Sequence, residues 1–207
     1  MLLSWSRHGL PHGFLYAKPV HVVYRLEGCL PVGPLRRLWK ALGEELTRHS
    51  VRGTRSTAAL ERLREQYLLH YDQLLDAQDQ TRYLLADARL ATIVLDSWRA
   101  LEELRACIVL ACCVMGNHVH VLLQGVEDAD PVPIGGVLRR HKKFTTNAIG
   151  DLRGARTKIW ADGYFDRYVR PGQFERVLQY LLDNPVKAGL VPDWRSWAAT
   201  YVREGLR

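Results

Sequence analysis

No uninterrupted apolar run in the 207 residues approaches the roughly 18 needed to cross a bilayer, so no membrane span is expected. The opening segment, MLLSWSRHGLPHG, lacks the apolar stretch and small-residue cleavage site of a secretory leader, and a cytoplasmic location is expected. Cysteine is scarce and badly spaced for metal or disulfide chemistry. Cys29, Cys107, Cys112 and Cys113 form no CxxC pair, and the last two are adjacent in an apolar run. That pattern reads as reduced packing residues rather than a zinc knuckle or a disulfide framework. There is no internal repeat and no low-complexity segment. Acidic residues are outnumbered, 22 against 29 Lys and Arg, for a net charge of +7. A basic chain favours a polyanionic partner, either nucleic acid or an anionic membrane surface, although charge alone does not choose.

What is present is a globular composition, 47% hydrophobic and 25% charged, with enough chain for one core and an appended lobe. VHVVYRLEG, residues 20–28, alternates and predicts a first strand ended by Gly28. Leu35, Leu38, Leu42 and Leu46 then fall at helical spacing over 33–49, and 51–57 reads as a polar connector. From Thr57, Leu60, Leu63, Tyr67, Tyr71, Leu74 and Leu75 share a helical face. Asp87 is placed to cap a further helix carrying Leu90, Ile93, Val94, Trp98 and Leu101. Residues 106–116 predict a strongly apolar strand, Gly116-Asn117 a turn, and 117–124 the returning strand of a hairpin. A basic amphipathic helix is expected over 132–152, a short strand over 163–170, and a helix over 173–184 that Pro185 ends. The order implies an α+β fold: a ferredoxin-like antiparallel sheet packed with helices, with a helical insertion after the first strand at about 33–103, all in a single domain over 1–207.

The stretch VMGNHVHVLLQ, 114–124, sets two imidazoles inside a buried strand pattern. A strand alternates with period two, so His118 and His120 share a face, where two neutral imidazoles can hold one metal ion. Quiet packing is the competing reading. Tyr180 and Asn184 lie four apart, one helical turn, which offers a nucleophile and a further ligand side by side. Their ordinary alternatives are a core tyrosine and a helix C-terminal asparagine before proline.

MGNHVHVLLQ, FDRYVR and QYLLDNPVKAGLV resemble the signature blocks of the single-tyrosine HUH transposases, and most closely the REP-associated tyrosine transposases. RRHKKFT (139–145), KIWADGYFDRYVR (158–170) and the opening HVVYRLEGCLP fit the same pattern. The resemblance covers most of the chain except the extreme N-terminus, and matches 33–103 only loosely. It implies a divalent ion, Mg or Mn, held by His118, His120 and Asn184. It also implies Tyr180 as the nucleophile that cuts DNA, leaving a covalent 5′-phosphotyrosine and a free 3′-OH. The implied substrate is single-stranded DNA with a hairpin. Arg139, Arg140, Lys142, Lys143, Arg167 and Arg170 are the candidate backbone contacts and Trp160 or Phe144 the candidates to stack a base, against the ordinary reading of solvated cations and two core aromatics, which carries more weight residue by residue. Arg52, Arg55, Arg62 and Arg64 read instead as a solvated connector and helix face. Shorter members of the family exchange the tyrosine helix within dimers, while the REP-associated branch resembles a monomer with its tyrosine in cis, so monomer and homodimer both stay open.

Three departures stand out. The 33–103 helices exceed what the minimal fold requires, and read either as recognising DNA structure or as padding the scaffold. Gly116 occupies a place where many members carry proline; both make turns, so little consequence is expected. Asn184 is one methylene shorter than the Gln of the insertion-sequence transposases. Two other functions compete: a catalytically silent hairpin DNA or RNA-binding regulator, and a metal phosphodiesterase that forms no tyrosyl intermediate. Tyr164 and Tyr168 are the rival nucleophiles, but neither has a polar amide four residues on.

Overall fold

The computed structural model describes residues 4–5, 11–51 and 57–206. Most of the expected 51–57 connector, including Arg52 and Arg55, and the side chains of Leu46 and Leu60 lie outside the described residues. Three two-residue strands open the chain: β1 (Ser4–Trp5), β2 (Pro11–His12) and β3 (Phe14–Leu15). Then come β4 (Val20–Arg25), α1 (Val32–Val51), α2 (Thr57–Asp76) and α3 (Ala88–Glu103). The hairpin follows as β5 (Ile108–Val114) and β6 (His118–Gln124), then β7 (Val132–Pro133), α4 (Ile134–Arg153) and β8 (Phe165–Tyr168). The chain closes with α5 (Phe174–Leu182), α6 (Asn184–Lys187) and β9 (Thr200–Val202). Five strands form an antiparallel sheet in the order β8-β4-β6-β5-β9, giving a mixed α+β fold with helices packed on the sheet. Among the described residues no helix is long and apolar enough to cross a membrane. All four cysteines are free and buried, as packing residues should be.

Period-two alternation divides the sheet. Val22 pairs with Val121, and Tyr24 with Val119, so these side chains share one face. There α3 and α4 pack: the Trp98 indole donates to Tyr24 Oη at 3.0 Å, and that hydroxyl lies 2.7 Å from His141 Nε2. The opposite face carries His21, Val23, His118, His120, Leu122, Phe165 and Arg167, since His21 pairs with both Leu122 and Arg167 and Val23 pairs with both His120 and Phe165. α5 lies on this face, burying Val177, Leu178, Leu181 and Leu182 in a cluster with Cys113, Met115 and Leu122. Each such aliphatic burial contributes about 1.5–3 kcal/mol. A nine-residue helix, marginal alone, is therefore held by packing. Phe165 also meets Tyr71 of α2 at 5.1 Å between ring centroids, so α2 crosses to the same face as α5.

Several sequence expectations need correction. β4 stops at Arg25, and Gly28 (φ +72°) makes the following turn. Pro185 does not stop a helix: α5 ends at Leu182, and Asn184-Pro185 begin a new helical turn, where proline lacks no needed donor. Arg64 is not solvated; it is 6% exposed, with Nη1 3.6 Å from Asp166. β9 and the two-residue strands have no counterpart in the sequence reading, because two or three residues carry no periodicity.

Gly116 matters more than a generic turn residue. A Cβ there would sit 1.9 Å from the backbone oxygen of Gln80, in the segment that follows α2. That segment is pinned to the turn by the Leu85 N–H donating to Gly116 O at 3.1 Å. Backbone cannot swing aside as a side-chain tip can. Gly116→Ala is expected to cost about 1–3 kcal/mol or more by overpacking. A urea midpoint unchanged from wild type would contradict that close approach.

Candidate active site

The histidine pair is oriented from both ends. Asn117 is fully buried, and its Nδ2 donates to Leu75 O at the end of α2 at 3.0 Å. That leaves Asn117 Oδ1 as an acceptor, 2.5 Å from His118 Nδ1. His118 therefore carries its proton on Nδ1 and presents the Nε2 lone pair. His120 Nδ1 lies 3.1 Å from His21 Nε2, on the neighbouring strand. The two Nε2 atoms face each other at 2.8 Å, with the rings edge-on. At that separation either His120 Nε2 carries a proton and donates it to the His118 lone pair, or a cation lies between the two nitrogens. All three histidines are fully buried. Burial pushes His118 down to about 3 and holds His120 and His21 well below the ordinary imidazole value. For His120 the charges of His118, His21 and Lys187 add to the effect, and for His21 those of Arg167 and Lys187. These rings are neutral at physiological pH, the state a metal ligand needs.

α5 and α6 bring up the other side. The Tyr180 ring stands edge-on to His120 and His21, with centroids 6.4 and 6.3 Å away. Asn184 is fully buried, its Nδ2 donating to the carbonyls of Tyr180 and Leu181 at 3.0 Å each. This caps the end of α5 and leaves Asn184 Oδ1 buried with no hydrogen-bond partner among the described residues. A buried amide oxygen without a donor is costly, and a cation would satisfy it.

The sequence reading missed the contribution of α2. Asp72, 1% exposed, accepts the Tyr180 hydroxyl at 2.7 Å. Asp76 Oδ1 lies 3.9 Å from His118 Nε2 and has no hydrogen-bond partner among the described residues. Burial raises both carboxyls, Asp76 to about 6, against the pull of Lys187. Burial, then the charge and hydrogen bond of Asp72, push the Tyr180 phenol far up. Lys187 Nζ stands 3.7 Å over the Tyr180 ring and donates to Tyr180 O. A signal was available: Asp72 interrupts the buried run of Leu68, Tyr71 and Leu75 on α2, and a carboxylate in an apolar stripe is rarely idle.

The expected DNA contacts are placed differently from one another. Arg167, 7% exposed, and Arg170 both reach Glu65 of α2, at 3.7 and 2.6 Å. A cleft of about 320 Å³ opens beside Tyr180 and is lined by Arg167, Arg176 and Lys187. Arg139, Lys142 and Lys143 lie instead on α4, across the sheet, in a separate cleft of about 720 Å³ with Lys158. Lys142 donates to the carbonyls of Ala161 and Gly163 at 2.9 and 3.0 Å. Arg140 is exposed on α4. Trp160 is core, at 4% exposure, while Phe144 is exposed at 54%.

Two neutral imidazole nitrogens facing each other are ligands of the kind a divalent ion takes, and a buried amide oxygen without a partner, such as Asn184 Oδ1, is of that kind too. Among the described residues no group of three or more His, Cys, Asp or Glu is arranged to hold a metal, so an ion on the histidine pair would need a further ligand of another kind. If the pair binds metal, Asn117→Ala should weaken Mn affinity by about 10–100-fold, because it frees the His118 ring and its tautomer. Titration calorimetry checks this, and equal affinity in the variant would contradict the orienting role.

No protein-family model matches the chain, and no curated protein does. Among solved structures it is similar to a REP-associated tyrosine transposase bound to a REP hairpin, at 16% identity over 89% of this chain and 76% of the other, with a TM-score of 0.48. It is also similar to a Deinococcus radiodurans R1 protein provisionally described as a transposase, at 12% identity over 83% and 94%, with a TM-score of 0.39. Both likenesses are distant.

Proposed function

We propose that residues 1–207 act as one transposase-like domain that cuts and rejoins hairpin-flanked single-stranded DNA through a covalent 5′-phosphotyrosine at Tyr180. One observation carries this reading: the Tyr180 ring stands edge-on to His120, whose Nε2 faces that of His118, and Asn184 sits one turn on, bonded to the Tyr180 carbonyl. The strand order, with β4 between β8 and β6, supports the ferredoxin-like reading of the core. His118, His120 and Asn184 would hold Mg or Mn. Bound there, the ion supplies positive charge to a phosphate oxygen.

The chain's residues do the rest. Arg176 and Lys187, beside the nucleophile, attract the strand into the cleft at Tyr180. Tyr180 Oη attacks the phosphorus in line, and the bond to the 3′ oxygen breaks. The new ester keeps the energy of the phosphodiester, so a 3′-OH can attack it and rejoin DNA without a nucleotide cofactor. Arg139, Arg140 and Lys143 are proposed to hold the hairpin backbone, whereas Lys142 is already engaged by two carbonyls. The edge-on contact of Tyr180 with His120 of its own chain supports a tyrosine acting in cis.

The test is incubation with labelled single-stranded hairpin DNAs from beside the gene, with Mn or with EDTA. A metal-dependent adduct stable to denaturing electrophoresis is expected. Hairpin binding with no adduct across those sequences and metals would leave a silent binding module.

A further inference from the structure

We propose that Asp72, supplied by the helical insertion, takes the proton from Tyr180 Oη as that oxygen attacks phosphorus. The inference rests on the proposed tyrosine chemistry. A phenol of ordinary pKa near 10 is a weak nucleophile at neutral pH and needs a base within hydrogen-bond reach. Asp72 Oδ2 is 2.7 Å from Tyr180 Oη and accepts its hydrogen. The other nearby groups are unsuited. Lys187 is a cation lying over the ring face, and the nitrogens of His118 and His120 pair with one another, with Asn117 and with His21. His21 Nδ1 has no partner among the described residues, but the hydrogen bond of the Tyr180 hydroxyl goes to Asp72. Asp76 lies toward His118.

The position of Asp72 is itself informative. It is 1% exposed between Leu68, Tyr71 and Leu75, and its Oδ1 has no hydrogen-bond partner among the described residues. A carboxylate placed there solely for stability would be a poor choice, since an apolar residue would cost less. Burial also raises its proton affinity toward that of a phenol, which improves it as a base. The step balances. The Oη–P bond forms as the P–O3′ bond breaks, and the phenolic proton passes to Asp72 Oδ2. The departing 3′ oxygen takes a proton from water, and Asp72 returns its own to solvent. Rejoining runs the same path backward.

Asp72→Asn separates proton acceptance from positioning, because an amide oxygen still accepts the hydroxyl but takes no proton. The expected result is a fall of about 10²–10⁴-fold in the single-turnover rate of adduct formation, with hairpin and Mn affinities unchanged. Asp72→Glu should recover part of the rate. Installing 3,5-difluorotyrosine at position 180, a more acidic phenol, should restore the Asp72→Asn rate far more than it changes wild type, a readout that a packing defect would not produce. An Asp72→Asn rate equal to wild type would overturn the assignment while leaving the tyrosine chemistry intact, and a faster rate would make the contact an inhibitory latch. Failure of fluorotyrosine rescue would also overturn it. A wild-type protein that forms no adduct would remove the proposed function, and this role with it.

Discussion

Tyr180→Phe is expected to abolish the covalent protein–DNA adduct while hairpin binding persists. The phenyl ring still fits, since the Tyr180 ring packs edge-on to His120 and His21 without using its hydroxyl there. The hydroxyl's described bond is to Asp72, so its loss leaves a buried carboxyl oxygen without a donor, at about 1–3 kcal/mol of stability. That cost lowers the melting temperature but does not erase binding. Adduct formation, in contrast, has no other route, because Tyr164 and Tyr168 sit elsewhere. Tyr164 stacks on His12, and the Tyr168 hydroxyl is bonded to the backbone of Phe14. DNA cleavage that survives Tyr180→Phe would point to a metal phosphodiesterase and sink the tyrosyl intermediate.

The second large effect concerns the histidines. Mn at about 100 times its Kd should add about 2.7 kcal/mol to wild-type stability, because a ligand that binds only the folded state shifts unfolding by mass action. In His118→Ala and in His120→Ala that increment should vanish, and DNA cleavage with it. Each variant removes one of two nitrogens that face each other at 2.8 Å, so one ring alone cannot keep the chelate. Melting each protein in EDTA and in Mn makes the comparison internal, and any packing defect cancels. An equal Mn increment in wild type and both variants would place the metal elsewhere.

The half of the site carried by local rules was readable in the sequence. His118 and His120 share a face because strands alternate, and Tyr180 and Asn184 are neighbours because helices turn once in about four residues. Asp87 caps α3 as expected, its side chain accepting the Arg89 N–H at 2.9 Å. What stayed hidden was tertiary. Helical periodicity shows that α2 has an apolar stripe but not which face of the sheet it covers. Hence Asp72 could be marked as an odd carboxylate in that stripe, but neither it nor Asp76 and Glu65 showed that the insertion would reach the nucleophile, the histidines and Arg167. His21 looked like one more residue of a first strand, and only its register beside β6 sets it against His120. Gly116 passed as a turn residue because the approach of Gln80 belongs to a segment more than thirty residues away.

The most direct test is the identity of the residue that becomes linked to DNA. After reaction with a hairpin oligonucleotide and Mn, nuclease trimming and trypsin digestion should leave a nucleotide on the peptide from Val177 to Lys187. Tyr180 is the only tyrosine in that peptide, while Tyr164 and Tyr168 fall in others. A nucleotide mass on that peptide, lost in EDTA, is the predicted result. The same mass on a different peptide, or DNA cut with no modified peptide, would contradict Tyr180 as the nucleophile.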